Sequence, residues 1–264
     1  MGRRFDRYRG TPRNVHPLPM RIPLSLAALL LAAAVTACGG GNTESKVDSS
    51  GADKTAKTRT LEAGAAALQN IPPIEAINTY VDGFHFASGN ARMQMEAHHY
   101  CSIVNEDLIQ CVIFDGNVGD AKLTGIEYII SAKLFATLPE DEKALWHSHV
   151  HEVKSGQLIA PGIPELAEHE LMEKLVGTYG KTIHTWHTDQ SMPLPLGAPQ
   201  LMMGATADGQ IDPAMIVARD QRFGIRAEDK KANRADIPPP AVMPGADAWQ
   251  SGKVVQFTEG TKSR

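Results

Sequence analysis

The chain has 264 residues, with 26 Lys and Arg against 30 Asp and Glu and a formal net charge of −4. That near balance, without a basic stripe or interleaved Arg/Lys and aromatic residues, argues against a nucleic-acid-binding surface. No internal repeat is present, and the length suits one folded domain with polar flanks.

Residues 1–19 carry Arg3, Arg4, Arg7, Arg9 and Arg13, and Met20 is an alternative start. From Met20 the chain reads Met-Arg-Ile-Pro, then Leu24 to Val35 without a charge, then Thr36-Ala37-Cys38-Gly39-Gly40-Gly41. A basic start, a short apolar core and small residues at its end form a secretory signal. The run is short of the roughly 20 apolar residues that span a bilayer. Val35-Thr36-Ala37-Cys38 resembles a lipobox, which implies cleavage before Cys38 and acylation of its thiol. Several acyl chains would then hold the protein stably on a membrane of the cell envelope. By the same resemblance, Gly rather than Asp after Cys38 favours the outer membrane over the inner one. The alternative is a cleaved signal with a chance cysteine. Residues 1–37 are thus an N-terminal extension and signal, and 38–67, rich in Gly, Ser, Thr, Lys and Ala, a flexible tether.

Residues 68–225 hold the domain. Ile74, Ile77, Tyr80, Val81 and Phe84 recur at helical spacing behind Pro72-Pro73, which predicts an amphipathic helix. Two β-rich runs, 97–104 and 108–116, flank Asn105-Glu106-Asp107 and predict a hairpin. A further strand is predicted over 123–130. Pro139-Glu140-Asp141-Glu142 opens a helix, 147–153 reads as strand or helix, and 164–176 is a second helix. Stretches 181–188 and 200–206 are extended. The fold class is α+β, a single domain with a largely antiparallel sheet flanked by a few helices. Residues 226–264 are expected to be polar and mostly irregular, draped over the domain through Val242, Met243 and Trp249.

Nine of the ten histidines lie between His85 and His187. In Trp146-His147-Ser148-His149-Val150-His151-Glu152, a strand places His147, His149 and His151 on one face, and a helix pairs His147 with His151. Either geometry offers imidazoles to a transition metal such as Zn, Cu or Fe. The plainer alternative is a hydrogen-bonded histidine cluster. Cys101 and Cys111 lie equidistant from the turn at Glu106. They face each other across the hairpin, as a disulfide or as thiolate ligands beside His98 or His99. His169 reads as a surface residue, and His184 and His187 fall on opposite faces of one strand. No His-Glu-x-x-His, Gly-x-Ser-x-Gly, Walker or Gly-x-Gly-x-x-Gly pattern is present, so no reaction is assigned.

The segments His98-His-Tyr-Cys101, Asn105-Glu106, Gln110-Cys111-Val-Ile-Phe-Asp115, Gly125-Ile-Glu-Tyr128, Leu145-Trp-His-Ser-His149, Glu152-Val-Lys-Ser-Gly156, Tyr179-Gly-Lys181 and Pro195 to Met203 resemble, in order and spacing, the oil body-associated protein family, also described as a domain of unknown function. The resemblance covers most of 70–225. It implies an interaction or structural role at a lipid surface, with a lipid or protein partner. It also narrows the candidate ligand set to His99, Cys101, Cys111, His147, His149 and Glu152, and disfavours His151 and His187. Matching cysteines in family members of the reducing cytosol count against an obligatory disulfide. The rival reading is a His/Cys metal- or small-ligand-binding domain, with or without an enzymatic activity.

Overall fold

The computed structural model describes residues 41–257; the signal segment and Cys38 lie outside the described residues. Strands β1 (Thr79–Ala87), β2 (Asn90–Asn105), β3 (Leu108–Phe114), β4 (Leu123–Ser131), β6 (Thr178–His184) and β7 (Gln200–Met203) pair in the order β4-β3-β2-β1-β7-β6. A further pairing of β4 with β6 closes the sheet into a six-stranded barrel, every pairing antiparallel. The expectation of one domain with an antiparallel sheet and helices holds, but the sheet is a barrel rather than open. Closure leaves no free edge among these strands.

The seam between β1 and β7 is short, with only Phe86↔Met203 and Ala87↔Met202 paired. Beyond it the barrel wall admits the stretch from β5 (His147–Ser148) through α5 (Val150–Lys154) to Ile159. One side of this stretch pairs His147 with Gly180 on β6. Its far end pairs with β1, where Asp82 N donates to Ile159 O at 2.8 Å and Ile159 N to Asp82 O at 2.9 Å. The histidine-rich segment is therefore built into the wall.

Strand alternation sorts the side chains. At one end of the interior, Val81, Cys101, Ile109, Cys111 and Ile129 pack with Val153, Leu158 and, from α6 (Glu165–Leu175), Met172 and Leu175. At the other end Ala87, Met95 and Met202 form a smaller apolar layer. Outside β1, Phe84 and Phe86 pack with Leu201, Met203 and Ile211, backed by Met215 and Ile216 of α7 (Pro213–Phe223).

Several expectations are corrected. The helix predicted over Ile74 to Phe84 is confined to α2 (Pro72–Glu75), and Tyr80, Val81 and Phe84 belong to β1. Both faces of β1 are buried, so its apolar residues do not alternate and imitate a helical stripe. Two short helices follow β4, α3 (Ala132–Ala136) and α4 (Glu140–Lys143). The 147–153 segment is neither strand nor helix throughout: two strand residues lead into α5, with His149 at its N-cap. The stretch read as a tether contains α1 (Ala56–Leu68), which buries no residue, but Thr43 is buried and donates its N–H to Asn117 Oδ1 at 2.7 Å. The C-terminal stretch is part of the domain. It contains α8 (Ala227–Asn233) and buries Arg234, Ile237, Asp247 and Ala248. Among the described residues no helix is long and apolar enough to cross a membrane.

Candidate metal centre

Between the two apolar layers the barrel is polar. Glu127 is carried inward by the alternation of β4, and its carboxylate lies among four imidazoles. On one side, Oε2 is 2.8 Å from His99 Nε2 and 4.0 Å from His85 Nε2. On the other, Oε1 is 3.2 Å from His149 Nε2 and 3.4 Å from His147 Nε2. All five side chains are buried. They form two three-donor groups sharing Glu127: His85-His99-Glu127 and Glu127-His147-His149. A third joins His85 and His147 to Glu152, whose Oε2 is 3.8 Å from His147 Nε2.

Two glycines make the room. A Cβ on Gly180 would lie 2.0 Å from Glu127 Oε1 and 2.8 Å from His147 Nε2. One on Gly204, just past β7, would lie 2.4 Å from Glu152 Oε2. Any larger residue at either position displaces the cluster.

The hydrogen bonds around the imidazoles decide which nitrogens are available. Thr178 Oγ1 donates to Leu175 O at 2.7 Å. That hydroxyl must therefore accept from the His149 Nδ1–H at 2.8 Å. In that tautomer the His149 ring turns Nε2 toward Glu127 Oε1, where it holds a cation or, once protonated, donates to the carboxylate. Such an imidazole, held by its other nitrogen, is the form that binds metals. Among the described residues neither ring nitrogen of His99 or of His147 has a hydrogen bond. Leaving this many buried donors and acceptors unpaired costs about 1–3 kcal/mol each. A bound cation uses those same lone pairs.

Electrostatics follow the geometry. Burial pushes the Glu127 carboxyl up, but the imidazoles of His147, His149 and His99 outweigh it and hold it well below the usual range. Burial and the neighbouring His99 hold His85 well below its ordinary value. Burial also lowers His149, against the pull of Glu127. His147 is opposed by burial yet raised by Glu127 and Glu152. Burial drives Glu152 up to about 8, so near neutral pH this carboxyl is held as an acid. His184 sits behind His85, its Nε2 3.4 Å from His85 Nδ1, and burial lowers it to about 3.

Of the residues singled out in the sequence, His99, His147, His149 and Glu152 are brought together here. Cys101 and Cys111 are directly paired across β2 and β3 and joined as a disulfide, so they offer no thiolate. They pack in the apolar layer beside the site. His151 points away toward Asp208, 3.6 Å off, and His169 toward Asp236 at 3.0 Å. His187 lies outside the donor groups. Sequence reasoning did not single out Glu127, His85 and His184 as partners of the cluster. Glu127 alternates with Ile126 and Tyr128 in a strand where it alone is charged, and that was its only signal. A second buried group, Asp82-Glu96-His98, lies outside the barrel against Arg219 and Arg222. Those guanidiniums supply its positive charge, so it is an ion-pair network and not a cation site.

A family model described as "Protein of unknown function (DUF1264)" matches residues 71–238. The chain is similar to oil body-associated protein 1B of Arabidopsis thaliana, 41% identical over 210 residues, 78% of this chain and 87% of that protein. It is also similar to oil body-associated proteins 1A and 2A of Zea mays. The first is 41% identical, covering 76% of this chain and 86% of the relative; the second is 39% identical, covering 75% and 81%. No solved structure matches.

Proposed function

The chain belongs to the DUF1264 family, with the oil body-associated proteins as relatives, and we propose that its barrel interior binds a first-row transition-metal ion. His85, His99, Glu127, His147 and His149 are the donors. The observation that carries this reading is the set of four buried imidazoles around the buried Glu127 carboxylate, with both ring nitrogens of His99 and of His147 left without a hydrogen bond among the described residues. Imidazoles with a single carboxylate suit Zn, Fe or Cu better than Mg or Ca. A metal held there would act as a Lewis acid on a bound water, with the Glu152 carboxyl near enough to exchange a proton. The test is metal analysis of untagged protein beside the His147→Ala/His149→Ala double variant. Stoichiometric metal in the first and none in the second supports the reading. A folded, metal-free wild type that takes up neither Zn nor Co sinks it.

A second reading concerns location: the domain sits on a lipid surface of the cell envelope, anchored through Cys38. One observation favours it beyond the relatives' names. A groove of about 500 Å³ on the outer face of β2, β3 and β4 is lined by Ile74, Ile77, Tyr100, Val112, Phe114 and Leu123 among others, and no charged residue lines it. On a domain tethered through an acylated Cys38, this apolar face is the one suited to lie against a bilayer. Cys38→Ser should move the full-length protein into the soluble fraction. Leu123→Asp in that background should abolish any residual binding to phosphatidylethanolamine–phosphatidylglycerol vesicles. If Cys38→Ser stays membrane-bound with Leu123→Asp added, neither the anchor nor the groove is responsible.

A further inference from the structure

Among the described residues, the five donors lie away from the larger cavities. The four larger cavities, about 340 to 500 Å³, are lined by none of them. The cavity that touches His85, His99, Glu127 and His149 measures about 20 Å³. One water needs roughly 10–15 Å³, so with an ion seated among the donor atoms themselves this space takes one very small companion. Its other walls are Val81, Ile129, Leu158 and Leu175, all apolar, and Glu152. Glu152 is the one polar wall residue outside the proposed donor set, and its buried Oε2 has no protein hydrogen bond.

Resting on the metal-binding reading, we infer that the ion keeps one coordination position for a ligand of two or three heavy atoms at most. Water, dioxygen and small linear anions qualify; organic acids, sugars and acyl groups do not. Glu152 hydrogen-bonds the outer atom of that ligand. Leu158 and Leu175 form the lid that sets the size limit, since they pack over the donors from the α5–α6 side. The lid belongs to the apolar layer that also holds Cys101, Cys111 and Met172, so it is a packed wall and not a loop.

The experiment uses the full-length protein loaded with Co²⁺, its metal content measured first. Failure to load counts against the metal reading itself and is seen before any ligand is added. The visible spectrum of the loaded protein is then titrated with azide and, separately, with imidazole. The inference predicts that azide shifts the spectrum and imidazole does not. Leu158→Ala should admit imidazole while azide binding persists. Glu152→Leu should weaken azide on the order of tenfold, the loss of one hydrogen bond, and Glu152→Gln should restore it. Imidazole binding to the wild type as readily as azide, or no azide response in loaded protein, overturns it. Both decisive titrations are on the wild type, so the inference stands or falls even if a variant does not fold.

Discussion

Ser148 and Asp247, 99 residues apart, are joined by two hydrogen bonds: the Ser148 N–H donates to Oδ1 at 3.0 Å and its Oγ to Oδ2 at 2.7 Å. Ser148 separates His147 from His149, so a residue of the C-terminal segment holds the strand that presents both imidazoles. Asp247 adopts a left-handed backbone, φ 52°, a conformation that non-glycine residues rarely adopt. Such supporting contacts commonly change metal affinity by about 10–100-fold. Asp247→Ala is expected to lower affinity by that order in competition with a chromogenic chelator. An unchanged affinity would show that the brace does not position the donors.

Gly180→Ala and Gly204→Ala each place a methyl group into the cluster. Each should destabilise the protein by roughly 1–3 kcal/mol, as overpacking does, and reduce bound metal. Gly64 on the exposed helix α1 has nothing within 4 Å of its Cβ position. Gly64→Ala should therefore be neutral or slightly stabilising. Thermal denaturation of the three variants side by side checks the contrast.

The Cys101–Cys111 disulfide spans a sequence separation of 10. The Cys101→Ala/Cys111→Ala variant should lose on the order of 2–3 kcal/mol, a fall in Tm of roughly 5–10 °C. Its metal content should match the wild type. Loss of metal with the fold intact would return the cysteines to the ligand set.

The sequence exposed some of this and hid the rest for identifiable reasons. The β2–β3 hairpin, β4 and α6 were legible because their apolar patterns and turn residues are local. The barrel was not, because closure depends on β4 meeting β6, an event some 50 residues apart with no local signature. His85 was missed with β1, whose two buried faces erase the alternation of a strand. His147 and His149 were legible by proximity, yet neither proposed geometry was right. They converge on Glu127 because the chain turns from strand to helix at His149. The cysteines were legible as a pair. Only the direct register of Cys101 with Cys111 decides for the disulfide.

Metal-free protein should be acid-sensitive. Burial lowers His184 to about 3 and His98 to about 4, against an ordinary value of 6.5. Unfolded chains bind those protons first, so the stability these groups contribute is present above pH 6.5 and is lost as pH falls toward the folded values. Glu127, held well below 4.5, adds stability that is lost lower still. His147 and Glu152, both raised, act in the opposite direction: the contribution of His147 is present below pH 6.5 and that of Glu152 below 4.5, and both are lost as pH rises, Glu152's toward its folded value of about 8. In chelator, Tm at pH 5 should lie below Tm at pH 7. A higher Tm at pH 5 would mean that the interior histidines are charged in the fold.

The most direct test of the metal site is the Glu127→Gln variant, assayed for bound metal beside the untagged wild type. Glutamine keeps the size and removes the charge at the centre of the four imidazoles. The account predicts stoichiometric Zn, Fe or Cu in the wild type and at least a tenfold loss of affinity in the variant, which stays folded. A folded wild type that holds no metal and takes none up, with Glu127→Gln equally or more stable, would contradict it. The barrel interior would then be a hydrogen-bonded histidine cluster around one buried carboxylate.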